Sequence, residues 1–169
     1  GSIFFSTASG IVRLTIDPRS PVEVEHRGGG RAVLRHAGLT LEGYIEPVAL
    51  HCPRQAYITV TSGCIYRCRY CEVPILSAGR KTPEQIEEMI GSVADRIDAI
   101  SLTSGVLTGK EEEEEYVLAI IRRIKRFGVP IGVSIFPGES TADRLHDLGV
   151  AEVKFNIETA TADLFSTMC

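Results

Sequence analysis

The sequence predicts an α/β chain, with parallel β/α units from residue 55 onward and a small β-rich segment over 1–54 ahead of them. Three observations point there. Beyond residue 55, short runs rich in β-branched and aromatic residues alternate with segments of helical period. Before it, only short alternating runs occur, broken by glycine and proline. The composition is that of an ordinary globular chain of 169 residues, 44% hydrophobic and 24% charged.

In the first segment GIVRLTID (10–17) alternates and stops at Pro18, and VEVEH (22–26) stops before Gly28, Gly29 and Gly30. RAVLRH (31–36) and LEGYIEPVAL (41–50) complete the expected antiparallel sheet. The triple glycine lacks the Lys-Ser/Thr of a phosphate-binding P-loop and is read as a turn. AYITV (56–60) opens the β/α part and a cysteine-rich loop follows it. Thr82-Pro83-Glu84 starts a helix, and Ile86, Met89, Ile90, Val93 and Ile97 fall on one face. AISLT (99–103) is the second strand.

The next helix opens with Glu111 to Glu115 and closes with Arg122, Arg123, Lys125 and Arg126, capped by Gly128 and followed by Pro130. That charge order suits the helix dipole, so the glutamates read as a solvated helix start rather than a metal site. PIGVSIF (130–136) is the third strand, and Ser140 or Thr141 caps a short helix ending near Gly149. AEVKFNI (151–157) is the fourth strand, with a last helix from Thr161. Units at roughly 25-residue spacing imply parallel strands with right-handed crossovers. The expected whole is the opening part of a larger parallel β/α domain; the alternative is a complete doubly wound sheet.

Eighteen basic and 22 acidic residues, a net charge of -4, argue against a dedicated nucleic-acid binder. No apolar run approaches the roughly 18 residues that span a bilayer. The N-terminal GSIFFSTASG lacks the basic and long apolar regions of a secretory signal. A cytoplasmic setting with reduced thiols is therefore expected.

Within TSGCIYRCRYC (61–71) stand three of the five cysteines, spaced C-x3-C-x2-C. The odd count and the clustering favour a metal over disulfides. Following a strand, the loop belongs at the C-terminal edge of a parallel sheet, where β/α proteins build their sites. A closed zinc site needs four ligands. Cys52 or His51 would have to reach past a strand of roughly five residues at about 3.3 Å each, which disfavours zinc. Three thiolates suit an iron-sulfur cluster with one iron lacking a protein ligand.

Cys64-x3-Cys68-x2-Cys71, with Tyr70 before the last cysteine and a strand just ahead, resembles the radical S-adenosylmethionine (SAM) superfamily over residues 55–169. The resemblance implies a (β/α) TIM-like barrel, here partial, and a [4Fe-4S] cluster on Cys64, Cys68 and Cys71. The amino and carboxylate groups of SAM would chelate the fourth iron. One electron would then cleave SAM to methionine and a 5′-deoxyadenosyl radical that abstracts hydrogen from a substrate. A flavodoxin- or ferredoxin-type electron donor and an oxygen-sensitive cluster are implied as well. The substrate, small molecule or protein, is not specified.

Where such proteins carry a Gly-Gly-Glu-like segment meeting the SAM amino group, this chain has Thr103-Ser104-Gly105. Without the acid, backbone carbonyls or the two hydroxyls would serve. Ser134 would meet the SAM carboxylate, or is simply a small polar residue in a strand. Asn156 and Glu158, two apart and on one side of an extended chain, resemble the Asn-x-Asp of biotin-synthase-like members and would hold the ribose hydroxyls. Their alternative is a solvent-facing strand end. Tyr70 would lie by the adenine, or pack within the loop. Arg67 and Arg69 would steer an anionic partner or tune the cluster's potential, or are merely solvated; Cys52 reads as a small buried hydrophobe and Cys169 has no assigned role. Two other readings compete: a zinc-stabilised binding module on Cys52, Cys64, Cys68 and Cys71, and an electron-transfer protein that binds a cluster but not SAM.

Overall fold

The computed structural model describes residues 2–47, 54–75 and 79–169; His51 and Cys52 lie outside them. The first part is an antiparallel sheet of β1 (Ser2–Thr7), β2 (Gly10–Thr15), β3 (Glu23–His26), β4 (Arg31–His36) and β5 (Leu39–Glu46), in the order β2-β1-β5-β4-β3. Strand β1 was not separately legible, because its SIFFST does not alternate; paired on both edges, it buries Phe5 and Ser6. Gly43 makes room for that packing. A Cβ there would lie 2.2 Å from the Ser6 carbonyl oxygen and 2.7 Å from the Phe5 ring. Gly28, Gly29 and Gly30 all adopt positive φ (83°, 58° and 78°), which makes the triple glycine a turn as expected.

The second part begins with β6 (Gln55–Thr59), and a short ladder of β7 (Thr61–Ser62) with β8 (Gly79–Arg80) follows. Next come α1 (Pro83–Gly91), β9 (Ala99–Thr103), α2 (Lys110–Ile124), β10 (Ile131–Ser134), α3 (Thr141–Asp147), β11 (Glu152–Val153) and α4 (Ala162–Met168). Strands β6, β9, β10 and β11 form a parallel sheet in which each new strand adds to the same edge.

Alternation along these strands divides the sheet into two faces. Ala56, Ile58, Ile100, Leu102, Ile131 and Val133 point to one side and pack with Ile86 and Ile90 of α1, Val117, Leu118, Ile121 and Ile124 of α2, and Leu145 of α3. Each of the Val, Leu and Ile side chains contributes about 1.5–3 kcal/mol by leaving water. Helices α1, α2 and α3 thus cover a single face, whereas a doubly wound sheet carries helices on both. The other face presents Gln55, Tyr57, Thr59, Ser101, Thr103 and Ser134, none of them fully buried.

Local signals specify the helix ends. The Thr82 hydroxyl accepts the Gln85 N–H while the Gln85 side chain accepts the Thr82 N–H, a capping box with Pro83 in the first turn. Gly128 (φ 70°) closes the 3₁₀ turn after α2 and Gly149 (φ 70°) follows α3.

Three expectations need correction. The glutamate run is not uniformly solvated: Glu111, Glu112 and Glu115 are exposed, but Glu113 and Glu114 are 2% and 6% exposed. Helical period explains this, since Glu113 shares its face with Val117, Ile120 and Ile124. Ser140, one of the two expected caps, stands at the N-cap of α3 without a side-chain capping hydrogen bond, and Thr141 is the first helical residue. The Thr141 hydroxyl accepts the Gly138 N–H at 2.6 Å and donates to Glu114, which also pairs with Arg144 at 2.7 Å. The fourth strand spans only Glu152–Val153 instead of 151–157. It is the edge of the described sheet, and Phe155 and Ile157 beyond it are 38% and 93% exposed.

One buried carboxylate joins the two parts. Glu46, at the end of β5, accepts from Ser6 and pairs with Arg96 at 2.5 Å, ahead of β9. Among the described residues no helix is long and apolar enough to cross a membrane.

Candidate functional site

The cysteine loop leaves the sheet at the C-terminal end of β6 and returns through β8. Its two stems pair antiparallel, Thr61 with Arg80 and Ser62 with Gly79. Lys81 reinforces the return stem: its N–H donates to the Val60 carbonyl at 2.9 Å and its ammonium to the Thr59 carbonyl at 2.6 Å. Burial pushes the Lys81 pKa down.

The outgoing stem is bound to the end of β9. The Gly105 N–H donates to the Thr61 carbonyl at 2.9 Å, and the Ile65 N–H to the Val106 carbonyl at 2.7 Å. Gly105 lies so close to Gly63 that a Cβ on it would stand 2.0 Å from the Gly63 carbonyl oxygen. Farther along, Tyr66 stacks on Phe136 just past β10, with centroids 4.8 Å apart and an interplanar angle of 16°. The loop therefore spans the C-terminal ends of three adjacent strands. Phe136→Leu, which removes the stacked ring and keeps apolar volume, is expected to cost about 1 kcal/mol. It should also speed amide exchange at residues 64–68 by hydrogen-exchange mass spectrometry; unchanged exchange would show that the stack does not hold the loop.

Beneath the loop sits a buried polar cluster. Glu113 Oε1 accepts from the Thr61 and Ser104 hydroxyls, each at 2.6 Å, and Oε2 accepts from Arg80 Nη2 at 2.6 Å. The Ser104 hydroxyl also accepts the Thr61 N–H at 3.1 Å. Arg80 reaches Glu112 at 3.1 Å and lies over the Tyr116 ring, 4.6 Å from its centroid. Burial works against the Arg80 charge, but Glu112 and Glu113 more than offset it and raise the pKa.

These contacts bear on the Thr103-Ser104-Gly105 segment. The Ser104 hydroxyl is engaged internally, the Thr103 carbonyl accepts the Val60 N–H at 2.8 Å, and Gly105 serves close backbone approach. Thr103 has its side chain on the open polar face. Thr59, Thr103 and Ser134 stand directly opposite one another across β6, β9 and β10, so their side chains form one row on that face. The row adjoins a cleft of about 200 Å³ whose lining includes Ser101, Ser134, Glu152 and Lys154. A wider cleft of about 720 Å³ on the antiparallel sheet, between Ser6, Arg31 and Tyr44, contains none of the candidate residues.

Cys64, Cys68 and Cys71 are free thiols, each half-buried. The Cys71 N–H donates to the Cys68 carbonyl at 3.0 Å, which folds the second half of the motif into a turn. As donors they suit a thiophilic metal group: three reduced sulfurs on one loop held at both stems. Among the described residues, however, no trio of His, Cys, Asp or Glu is gathered closely enough to hold a metal ion.

Tyr70 connects the loop to the end of the chain. Its hydroxyl is 3.2 Å from the Cys169 sulfur, and the Arg69 N–H donates to the Met168 carbonyl at 2.8 Å. Cys169 beside the hydroxyl, then burial and Glu158, hold the Tyr70 pKa above its ordinary value. Burial pushes the Cys68 thiol up, with Cys169 adding to the shift. Cys68, Tyr70, Glu158 and Cys169 thus meet, while Asn156 is exposed two residues before Glu158. Nothing in the sequence signals the approach of Cys169, which is remote in the chain. Thr59 and Glu113 were legible in principle, from strand alternation and from helical period.

No curated protein sequence matches the chain significantly. The sequence model of the Radical SAM superfamily matches residues 58–168, from inside β6 to the end of α4, and so spans the end of β6, the cysteine loop and the other three parallel strands. On that match, which covers well over half of its length, the chain belongs to the radical SAM superfamily.

Proposed function

We propose that this chain carries the cofactor-binding half-site of a radical SAM enzyme, with Cys64, Cys68 and Cys71 as the ligands of a [4Fe-4S] cluster and SAM at the open iron. The observation that carries this reading is the loop itself: three free thiols held by two paired stems at the C-terminal ends of parallel strands. Bound there, the cluster and SAM supply one-electron reduction and radical chemistry. The protein's part is to orient and to shield. To hold the cluster the three thiols would have to come closer together, with the loop ends held by the paired stems.

The row Thr59–Thr103–Ser134 offers hydroxyls toward the SAM amino and carboxylate groups, with Thr59 added to the two residues expected from sequence. Backbone groups of Ser104 and Gly105 adjoin the same place. Asn156 and Glu158 are assigned to the ribose hydroxyls, and Tyr70, beside Glu158, to the adenine side. The four parallel strands, added in sequence order to one edge with helices on one face, are taken as an arc of a (β/α) barrel whose interior is the polar face. Residues 1–54 and 55–169 are proposed as separate units, and a flavodoxin- or ferredoxin-type protein as electron donor.

Anaerobic reconstitution with iron and sulfide tests this directly. The chain should take up about four irons, as a [4Fe-4S] cluster requires, and yield 5′-deoxyadenosine from SAM with a strong reductant. Stoichiometric zinc without iron uptake would overturn the reading. A full cluster that produces no 5′-deoxyadenosine would favour simple electron transfer.

A further inference from the structure

We propose that Glu113 is a positioning residue for the cysteine loop, a single buried carboxylate that clamps both stems of the loop to the end of β9. The inference rests on the reading of Cys64, Cys68 and Cys71 as cluster ligands. It begins from three partners that come from three places in the chain. Thr61 belongs to the outgoing stem, Arg80 to the returning stem, and Ser104 to the segment after β9. All three donate to Glu113, whose two oxygens divide them: Oε1 takes both hydroxyls and Oε2 takes the guanidinium.

The carboxylate is 2% exposed and stands on the helix face that buries Val117 and Ile120, so α2 itself is the rigid support. A buried charge with three donors keeps its geometry, because releasing any partner leaves a polar group unsatisfied away from water. Thr61 is three residues ahead of Cys64 and is 0% exposed, so its position sets where the first thiol starts. Arg80 is fixed a second time by Tyr116, whose hydroxyl donates to the Lys81 carbonyl at 2.9 Å in the same stem. Through these partners one side chain that touches no ligand reinforces the stem spacing that the β7–β8 ladder sets, and with it the loop's ability to gather three sulfurs.

The three hydrogen-bonding roles suggest the variants. Glu113→Ala removes every contact. Glu113→Gln keeps an oxygen for the two hydroxyls and puts an amide against Arg80. Ser104→Ala leaves the carboxylate its guanidinium and the Thr61 hydroxyl and removes, of its three partners, only the bond to the segment after β9. Each is compared with the parent chain by two measurements made well below its melting temperature. One is amide exchange at residues 61–66 and 79–82 in the metal-free chain. The other is the rate at which a chelator strips iron from the reconstituted chain, together with the electron paramagnetic resonance spectrum of its reduced cluster.

Positioning predicts faster exchange at both stems and iron loss about tenfold faster in Glu113→Ala, the scale typical of residues that hold metal ligands in place. Glu113→Gln should fall between Ala and the parent, and the reduced-cluster spectrum should change in the order parent, Gln, Ala. Lowered melting temperatures with parental exchange, iron release and spectrum would make Glu113 a fold residue only and overturn the inference. Should Glu113→Ala fail to fold, Glu113→Gln and Ser104→Ala decide by the same readouts. A parent chain that takes up no iron overturns the proposed function instead, and stem exchange in the metal-free variants still decides the clamp.

Discussion

Cys68→Ala is expected to retain no iron above background after anaerobic reconstitution and to form no 5′-deoxyadenosine, while its melting temperature stays close to that of the parent. The separation of the two effects follows from where Cys68 sits. It is half-buried in a loop, outside the core that α1, α2 and α3 build with the sheet, so its removal creates no cavity. Its sulfur is one of three that the loop offers, and on the proposed ligation its loss would leave a cluster with two protein ligands. Cys169 lies beside Cys68, so the double variant Cys68→Ala/Cys169→Ala is measured alongside it to exclude replacement of one thiol by the other. Iron and sulfide analysis on folded, desalted protein is the test, and parental iron content in the double variant contradicts the ligand assignment.

Gly105→Ala is expected to have the largest effect on stability, at about 3 kcal/mol, the upper end of what overpacking ordinarily costs. The atoms that an added methyl would meet are backbone: the Gly63 carbonyl oxygen at 2.0 Å and its carbon at 3.0 Å, with a Val73 methyl at 3.2 Å. A flexible side chain could turn away, but Gly63 cannot move without straining the bond from Gly105 to Thr61 and the Thr61–Ser104 contact. The strain therefore falls on the stem that leads to Cys64. The denaturation midpoint should drop, and the surviving folded protein should bind less iron. Gly91→Ala supplies the comparison, since open space surrounds its Cβ position. In the last turn of α1 it should be neutral or stabilise by about 0.5 kcal/mol. Equal midpoints for the two variants would show that the close approach of Gly105 to Gly63 carries no weight.

These expectations differ in how far each could be seen in the sequence. Cys68 was singled out by spacing, because three cysteines on one loop are a local pattern, and its proposed role came from the family resemblance. Gly105 was legible only as part of a family segment, and its structural reason, contact with Gly63, depends on two loops meeting. Glu113 was read as solvent-facing because five glutamates in a row suggest a charged helix start. Glu113 lies four residues before Val117 and seven before Ile120, which places it on the buried face, so here the helical period outweighs composition. The fourth strand was overestimated: AEVKFNI has the residues of a strand, but β11 is the edge of the described sheet and its bonds to β10 end with the Lys154 N–H on the Val133 carbonyl at 2.9 Å.

By itself the sequence determined what depends on neighbours along the chain. This includes the parallel β/α order, the capping box at Thr82, the glycine turns at 28–30 and 128, and the three thiols after the first parallel strand. Each is set by backbone preference or by side-chain periodicity, which act within a few residues. Only the tertiary structure decided which distant groups meet. It placed Thr59, Thr103 and Ser134 in one row, brought Cys169 to Tyr70, and put a buried carboxylate from α2 between the stems of the cysteine loop. Those meetings follow from strand register and helix packing, where small shifts decide which side chains touch, and no local pattern in the chain records them.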